Sequence, residues 1–501
     1  MSATSAAAET GNHIAGESTR ARSASTFESR NPAHTGDVIG VFPRSDATDV
    51  NDAVRAAQAA LPAWRGTPWP ARGEIVLRAA QLLAQRKEEL ARLMTREVGK
   101  VLVEARGDVQ EAIDMGTFIA GEGRRAFGET VPSELRQKWA MTMRQPFGVV
   151  GCITPWNFPI AIPSWKIFPA VMAGNTVVLK PAEDSPMCAL RFVEVLEEAG
   201  LPPGVVNVVF GIGEEAGDAL VRHPDVSAIY FTGGVDTGRI VAEACGRLLK
   251  KCSLELGGKN AMVVLDDADL ELAVEGALWG AFGTAGQRCT ATSRLIVEQP
   301  VLSDFTERLL DRTARLRLGD SLAADVDVGP VINETQLRRI HGYTEIGLAE
   351  GARCATGGTV ARDGALADGW FYTPTVFTGV EPQMRIAQEE IFGPTTAVIG
   401  VNSLDVALDV ANSTRYGLSL SVYTNDLRRA FRAIEELHSG IVYVNAPTSG
   451  AEIQLPFGGT KDTGNGHREA GGHALDEFSE WKSIYIDHSG RLQRAQIDTH
   501  E

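Results

Sequence analysis

Of the six cysteines, Cys289 keeps the most unusual company. Its neighbourhood, Gly283-Thr-Ala-Gly-Gln-Arg-Cys-Thr290, combines small residues with Arg288 beside the thiol. A nearby cation stabilises thiolate, the nucleophilic form of cysteine. The plainer alternative is a buried apolar cysteine, the commonest kind. Glu255, in Glu-Leu-Gly-Gly-Lys259, closes an apolar run. A carboxylate there is costly unless it is functional or paired, Lys259 being the nearest partner for an ion pair. A thiol and a carboxylate together could do acyl chemistry, one as nucleophile and the other as general base. Two glycine-rich turns could face a phosphate. Gly211-Ile-Gly213 with Gly217 lacks the dinucleotide spacing, and Glu214 and Glu215 would repel a pyrophosphate, so a structural turn is the simpler reading. Phe231-Thr-Gly-Gly-Val-Asp-Thr-Gly238 is better placed, because Gly233 and Gly238 could bring a helix N-terminus close to an anion.

These residues need elements to hold them. From about Thr48 to Ala126 the apolar spacing is helical, with Gly99 as a C-terminal stop. The period then changes. Short apolar runs at Val149–Thr154, Thr176–Lys180, Val205–Phe210, Ala228–Thr232 and Cys252–Leu256 alternate with helical stretches at Ser164–Ala173, Met187–Gly200, Glu214–Arg222 and Thr237–Leu249. That alternation predicts a parallel sheet, with ligands beyond the carboxyl ends of its strands. A second alternating region places strands at Met262–Asp266, Ser293–Val297, Val328–Ile332, Thr395–Val401, Leu418–Tyr423 and Ile441–Asn445. With no low-complexity linker and no internal repeat, two interlocked α/β domains are expected. Gly148 to Trp165 is uncharged, but Pro155, Pro159 and Pro163 argue for a buried strand and loop rather than a membrane span.

Composition narrows the class. The 501 residues suggest about three domain-sized units. Hydrophobic residues at 44% and charged residues at 22% exclude wholesale disorder. A net charge of −16 disfavours nucleic-acid and anionic-lipid partners. The widely spaced cysteines, without Cys-x-x-Cys or histidine at ligand spacing, predict reduced thiols, no metal and a cytoplasmic location. The first 30 residues have no apolar stretch and read as a frayed tail. Glu9, Glu17 and Glu28 count against a transit peptide.

Six motifs in order carry a resemblance. They are Thr-Pro-Trp-Asn-Phe-Pro around Asn157, Leu-Lys-Pro-Ala-Glu around Lys180, Phe231-Thr-Gly233, Glu255-Leu-Gly-Gly-Lys259, Gly286-Gln-Arg-Cys289 and Glu389-Glu-Ile-Phe-Gly-Pro394. Together they resemble the NAD(P)-dependent aldehyde dehydrogenase superfamily, from about Asn31 to Trp481. The resemblance implies an α/β subunit with a Rossmann-like cofactor domain (31–135 and 146–256), an α/β catalytic domain (257–460) and a small β oligomerisation extension (136–145 and 478–495). Homodimers or homotetramers follow from it.

By the same resemblance, Cys289 attacks the aldehyde to give a thiohemiacetal. The Asn157 amide and the Cys289 N–H hold the oxyanion, hydride leaves, and Glu255 activates the water that hydrolyses the thioacyl-enzyme. Lys166 and Glu469 match a proton path near the base, a solvated surface pair being the alternative. Glu255 argues against the coenzyme-A-acylating branch, which lacks that carboxylate. Lys180 and Glu183 match the ribose-holding pair; a carboxylate there repels a 2′-phosphate, so NAD is favoured, with NADP left open by Lys180. Glu390 and Phe392 match the pair that orients the nicotinamide side. Thr154, Trp156, Gly213, Thr232, Gly233, Gly234, Gly238, Leu256 and Gly257 complete the expected cofactor set.

Phe158, Ala161, Ile162, Trp165, Arg288, Thr290 and the loop Ala446–Phe457 should line a substrate tunnel. Arg288 could meet a distal carboxylate, and Gly286-Gln-Arg-Cys-Thr290 resembles branches handling 2,5-dioxopentanoate (α-ketoglutarate semialdehyde). Ser449-Gly-Ala-Glu-Ile453 resembles the α-aminoadipate semialdehyde branch, from which Gln454-Leu-Pro-Phe457 departs. Arg288 could equally point away, leaving a broad-specificity enzyme. A cysteine esterase and an inactive NAD-binding scaffold are the readings from other classes.

Overall fold

Parallel strands are covered on both faces, and five mostly buried runs build the parallel part of the first sheet. The computed structural model describes residues 9–499. The sheet runs in the order Lys251–Glu255, Ala228–Thr232, Val149–Thr154, Thr176–Pro181, Val206–Val208, Asn12–Ile14, Glu17–Thr19. The first five are parallel and the last two join antiparallel. Chain order reverses between Val149–Thr154 and Ala228–Thr232, which creates a crevice beyond their carboxyl ends. Helix Ala161–Ala173 is buried almost throughout.

Helices Ala47–Gly66, Trp69–Gln85, Lys87–Val98 and Leu102–Glu122 account for the long helical region. Asp46 starts the first, accepting from the Thr48 and Asp49 amides, and Gly99 ends the third at φ 84°, where a side chain would be strained. The second sheet runs Arg353–Thr356, Thr375–Thr378, Thr395–Val401, Thr292–Glu298, Asn260–Val264, Ser419–Tyr423, Ile441–Val444, parallel except at its first pair. A third, small sheet pairs Ser479–Asp487 with Lys138–Pro146, and Lys138–Pro146 with Thr130–Pro132. No helix of the described residues is long and apolar enough to cross a membrane.

Three expectations need correction. Residues 12–30 are not a frayed tail: Asn12–Ile14 and Glu17–Thr19 extend the first sheet, and Thr26–Arg30 pairs with Val38–Pro43. Polar contacts hold this segment. The buried Asn12 exchanges hydrogen bonds with Ser45 (2.8 and 3.0 Å) and accepts from the Phe210 amide (2.9 Å), so no apolar run announces it. Residues 1–8 of the supposed tail lie outside the described residues. Val328–Ile332 is buried but is no strand; Val328 makes an isolated bridge to Leu318. The stretch from Glu214 to Arg222 begins as a π-helical turn, Gly213–Gly217, before its α-helix.

Candidate active site

Thr154, Thr232 and Glu255 end three adjacent strands of the first sheet, so the residues after them converge on the crevice. A cavity of about 160 Å³ there is lined by Trp156, Asn157, Thr232, Gly233, Gly234, Leu256, Gly257, Glu390 and Phe392, together with Cys289 and Glu255. Phe392 meets Trp156 edge to face at 5.5 Å. Glu390 accepts from the Gly258 amide at 3.0 Å, and any Cβ at Gly257 would run into its carboxylate. A second cavity of about 370 Å³ lies alongside, lined by Ile153, Glu183, Gly213, Phe231, Thr237 and Val241 among others. Glu183 holds the buried Lys180 at 3.0 Å.

The Cys289 loop is held in a conformation that its residues would not choose alone. Thr284 and Ala285 sit at φ 54° and 52°, in the left-handed region. Both oxygens of Glu104 accept from the Thr284 amide, at 2.8 and 2.9 Å. Asn260 donates to the carbonyls of Cys289 (2.7 Å) and Ala291 (3.0 Å). Burial pushes the Cys289 thiol up to about 12, and Glu255, Glu390 and Glu111 add to the rise. The expectation that Arg288 stabilises the thiolate is therefore wrong. Its guanidinium turns away, giving Nε to Thr284 Oγ1 (2.9 Å) and Nη2 to Glu104 (3.2 Å), and stacking 4.6 Å over Trp279.

Asn157 donates from Nδ2 to the Gln287 carbonyl at 3.0 Å, which fixes the amide beside the Cys289 loop. Glu255 is 3% exposed, and neither carboxylate oxygen has a hydrogen-bond partner among the described residues. Burial, reinforced by Glu469, lifts its pKa well above the ordinary carboxyl value. Lys259 does not pair with it; the Lys259 ammonium is buried without a partner too, so the ion-pair alternative fails. Lys166 and Glu469 form a buried ion pair, not a solvated one. Glu469 is placed by exchanging backbone hydrogen bonds with Phe457 (2.7 and 2.8 Å). An oxyanion-type donor, a thiol and an unpaired carboxyl thus face one space, the set that covalent acyl chemistry requires.

Residues 19–484 match the model of the aldehyde dehydrogenase family. This chain belongs to the aldehyde dehydrogenase family. It is 42% identical over 475 residues to the alpha-ketoglutaric semialdehyde dehydrogenase of Bacillus subtilis (strain 168), covering 95% of this chain and 97% of that protein. It is also 42% identical to the phenylacetaldehyde dehydrogenase of Pseudomonas fluorescens, over 94% and 95% of the two chains. A crystal structure of betaine aldehyde dehydrogenase from Staphylococcus aureus in complex with NAD+ superposes with a TM-score of 0.94 at 35% identity, over 96% and 95%.

In this aldehyde dehydrogenase the six expected tunnel residues, Phe158, Ile162, Trp165, Arg288, Thr290 and Phe457, line one cavity of about 380 Å³ with Cys289 and Glu255. Ala161 does not line it, and of the loop Ala446–Phe457 only Ser449, Gly450, Ala451 and Phe457 do. Sequence reasoning missed one whole wall: Val103, Glu104, Gly107, Asp108 and Glu111 of helix Leu102–Glu122, together with Trp279. Three carboxylates at i, i+4 and i+7 on one helix face were the available signal. Gln336 and Arg339, which border the cofactor-side cavity, were also missed, since they lie on a helix, Glu334–Ala349, that follows strands Asn260–Val264 and Thr292–Glu298 of the second sheet.

The cofactor-side residues suit a dinucleotide. Thr154 Oγ1, Thr232 Oγ1 and Gln336 Oε1 are buried without partners among the described residues, and a Cβ at Gly213 or Gly234 would meet open space. Gly213 borders a cavity, so it is more than the structural turn its spacing suggested. Glu215 is turned aside to Arg44 (2.6 Å), away from any phosphate. Gly238 is a correction: it borders neither cavity, and a Cβ there would meet Leu256 Cδ2 at 2.5 Å. Its lack of a side chain lets helix Val235–Arg247 pack against Leu256. Thr154 and Lys180 also fall outside both cavity walls, although Lys180 reaches one through Glu183.

Proposed function

We propose that this aldehyde dehydrogenase oxidises an anionic semialdehyde, with 2,5-dioxopentanoate as the leading candidate, to the free carboxylic acid, using NAD. One observation carries the substrate class. Arg288 lines the tunnel, and its Nη1 has no hydrogen-bond partner among the described residues, while Nε and Nη2 are engaged. A donor on a fixed guanidinium suits a distal carboxylate. The name of the Bacillus subtilis relative agrees with this reading.

Cys289 would attack the aldehyde carbon, with Asn157 Nδ2 and the Cys289 amide donating to the developing oxyanion. NAD, when bound, accepts the hydride. Glu255, facing both cavities, would take the thiol proton and later a proton from water, which hydrolyses the thioester. Lys166 and Glu469 would carry that proton onward. Aldehyde, water and NAD thus yield carboxylate, NADH and two protons. Trp156, Gly213, Thr232, Gly233, Gly234, Leu256, Gly257, Glu390 and Phe392 would hold NAD, with Glu183 disfavouring a 2′-phosphate.

The first sheet would then serve as cofactor domain, the second as catalytic domain, and the third as an oligomerisation extension. Six free cysteines support a reducing compartment such as the cytoplasm. The aromatic walls Trp165, Phe457 and Trp279 favour a second reading, an uncharged aromatic aldehyde.

The test is NADH and NADPH formation across an aldehyde panel. A tenfold preference for 2,5-dioxopentanoate over phenylacetaldehyde corresponds to about 1.4 kcal/mol of differential transition-state binding. A preference for phenylacetaldehyde would replace the first reading by the second, and a flat profile would mean broad specificity.

A further inference from the structure

The wall that the sequence did not announce carries three carboxyl groups, and two are fully occupied. Glu104 accepts from the Thr284 amide and from Arg288. Asp108 accepts from Lys100 Nζ (2.7 Å) and from the Ala161 amide (2.8 Å). Glu111, one turn further, lines the same cavity as Cys289 and has no hydrogen-bond or ion-pair partner among the described residues. Its neighbours leave a near-neutral wall: Lys100 offsets Asp108, and Arg288 offsets Glu104. An ionised Glu111 would tip that balance toward repulsion of an anion.

We propose that Glu111 is a specificity-determining residue whose carboxyl group donates a hydrogen bond to the distal carboxylate of the substrate, beside Arg288 Nη1. This rests on the anionic-semialdehyde reading above. The proton is available, because burial and then the charge of Asp108 push Glu111 up to about 8, against the opposing pull of Lys100 and Arg288. Asp114, one turn on, adds to the rise, and Glu111 itself acts on Cys289 across the cavity. The sign is fixed by this arrangement. Below pH 8 the neutral carboxyl donates; above it the carboxylate repels the substrate.

The experiment is KM against pH, from 7 to 9.5, for 2,5-dioxopentanoate and for pentanal, an uncharged aldehyde of the same chain length. The wild-type enzyme should show KM for 2,5-dioxopentanoate flat at low pH and climbing by about tenfold per pH unit above 8, with KM for pentanal flat. Glu111→Gln keeps an N–H donor but cannot ionise, so its KM for 2,5-dioxopentanoate should stay flat across the same pH range. Two results overturn the proposal: a wild-type rise of the same size with pentanal, or a Glu111→Gln profile that follows the wild type. The wild-type comparison alone decides the matter if the variant does not fold. Should the wild type oxidise pentanal but not 2,5-dioxopentanoate, the substrate reading itself fails and takes the proposal with it.

Discussion

Glu104 reaches across 180 residues of chain to hold the Thr284 amide with both carboxylate oxygens. That contact fastens the tunnel wall to the loop that presents Cys289, where Thr284 and Ala285 sit in left-handed conformations. Replacing Glu104 by Ala leaves a buried amide unsatisfied and Arg288 uncompensated. Breaking such a charged hydrogen bond costs about 1.5–3 kcal/mol. Thermal unfolding should fall accordingly, and kcat should drop as the loop relaxes. Unchanged stability and kcat would show that the loop keeps its shape without Glu104.

Asn157→Ala removes a preorganised donor and should lower kcat by about 10²–10³-fold with a much smaller change in KM. Steady-state kinetics on any good aldehyde reads this out. A loss confined to KM would place Asn157 in substrate binding instead.

The Cys289 thiol, pushed up to about 12, is almost wholly protonated at neutral pH in the absence of substrate. Raising the pH raises the thiolate fraction tenfold per unit until the pKa is reached. The rate of iodoacetamide inactivation should therefore keep climbing from pH 7 to 10. A plateau at or below pH 8 would show a thiol far more acidic than its surroundings imply.

Gly458 lies at φ 147°, and any Cβ there would run into Glu255 Oε1. Gly458→Ala should displace that carboxyl, and a misplacement of about 1 Å is worth on the order of 10²-fold in rate. Rapid-mixing kinetics should show both the NADH burst rate and steady-state turnover falling. Wild-type turnover would mean that Glu255 is not needed in its observed position.

The small sheet leaves Trp139 57% and Ile486 49% exposed, directly opposite each other in its register. On the same small sheet Trp481, Tyr485 and Met143 are exposed as well, and a contiguous apolar patch marks an interaction surface. Changing both to Asp should lower the native mass measured by light scattering. A monomeric wild type would remove the oligomerisation reading of this sheet.

Much of this protein was written locally. The five parallel strands of the first sheet are mostly buried, as strands covered on both faces must be, and each falls within two residues of its expected bounds. Cys289, Asn157 and Glu255 were marked by short motifs, since turns at strand ends must carry both the glycine and the reacting group within a few residues. Other features depend on contacts between distant segments. Asn12 makes strands of the N-terminal segment through Ser45 and Phe210. Arg288 adjoins the thiol in sequence, yet Glu104 and Trp279 draw its charge away. Glu111 gains its meaning only where helix Leu102–Glu122 walls the tunnel and deprives that one carboxyl of a partner. Residue type and periodicity determined which elements form and which groups can react. Burial and long-range pairing, which no local pattern encodes, decided which of those groups carry charge and which face the substrate.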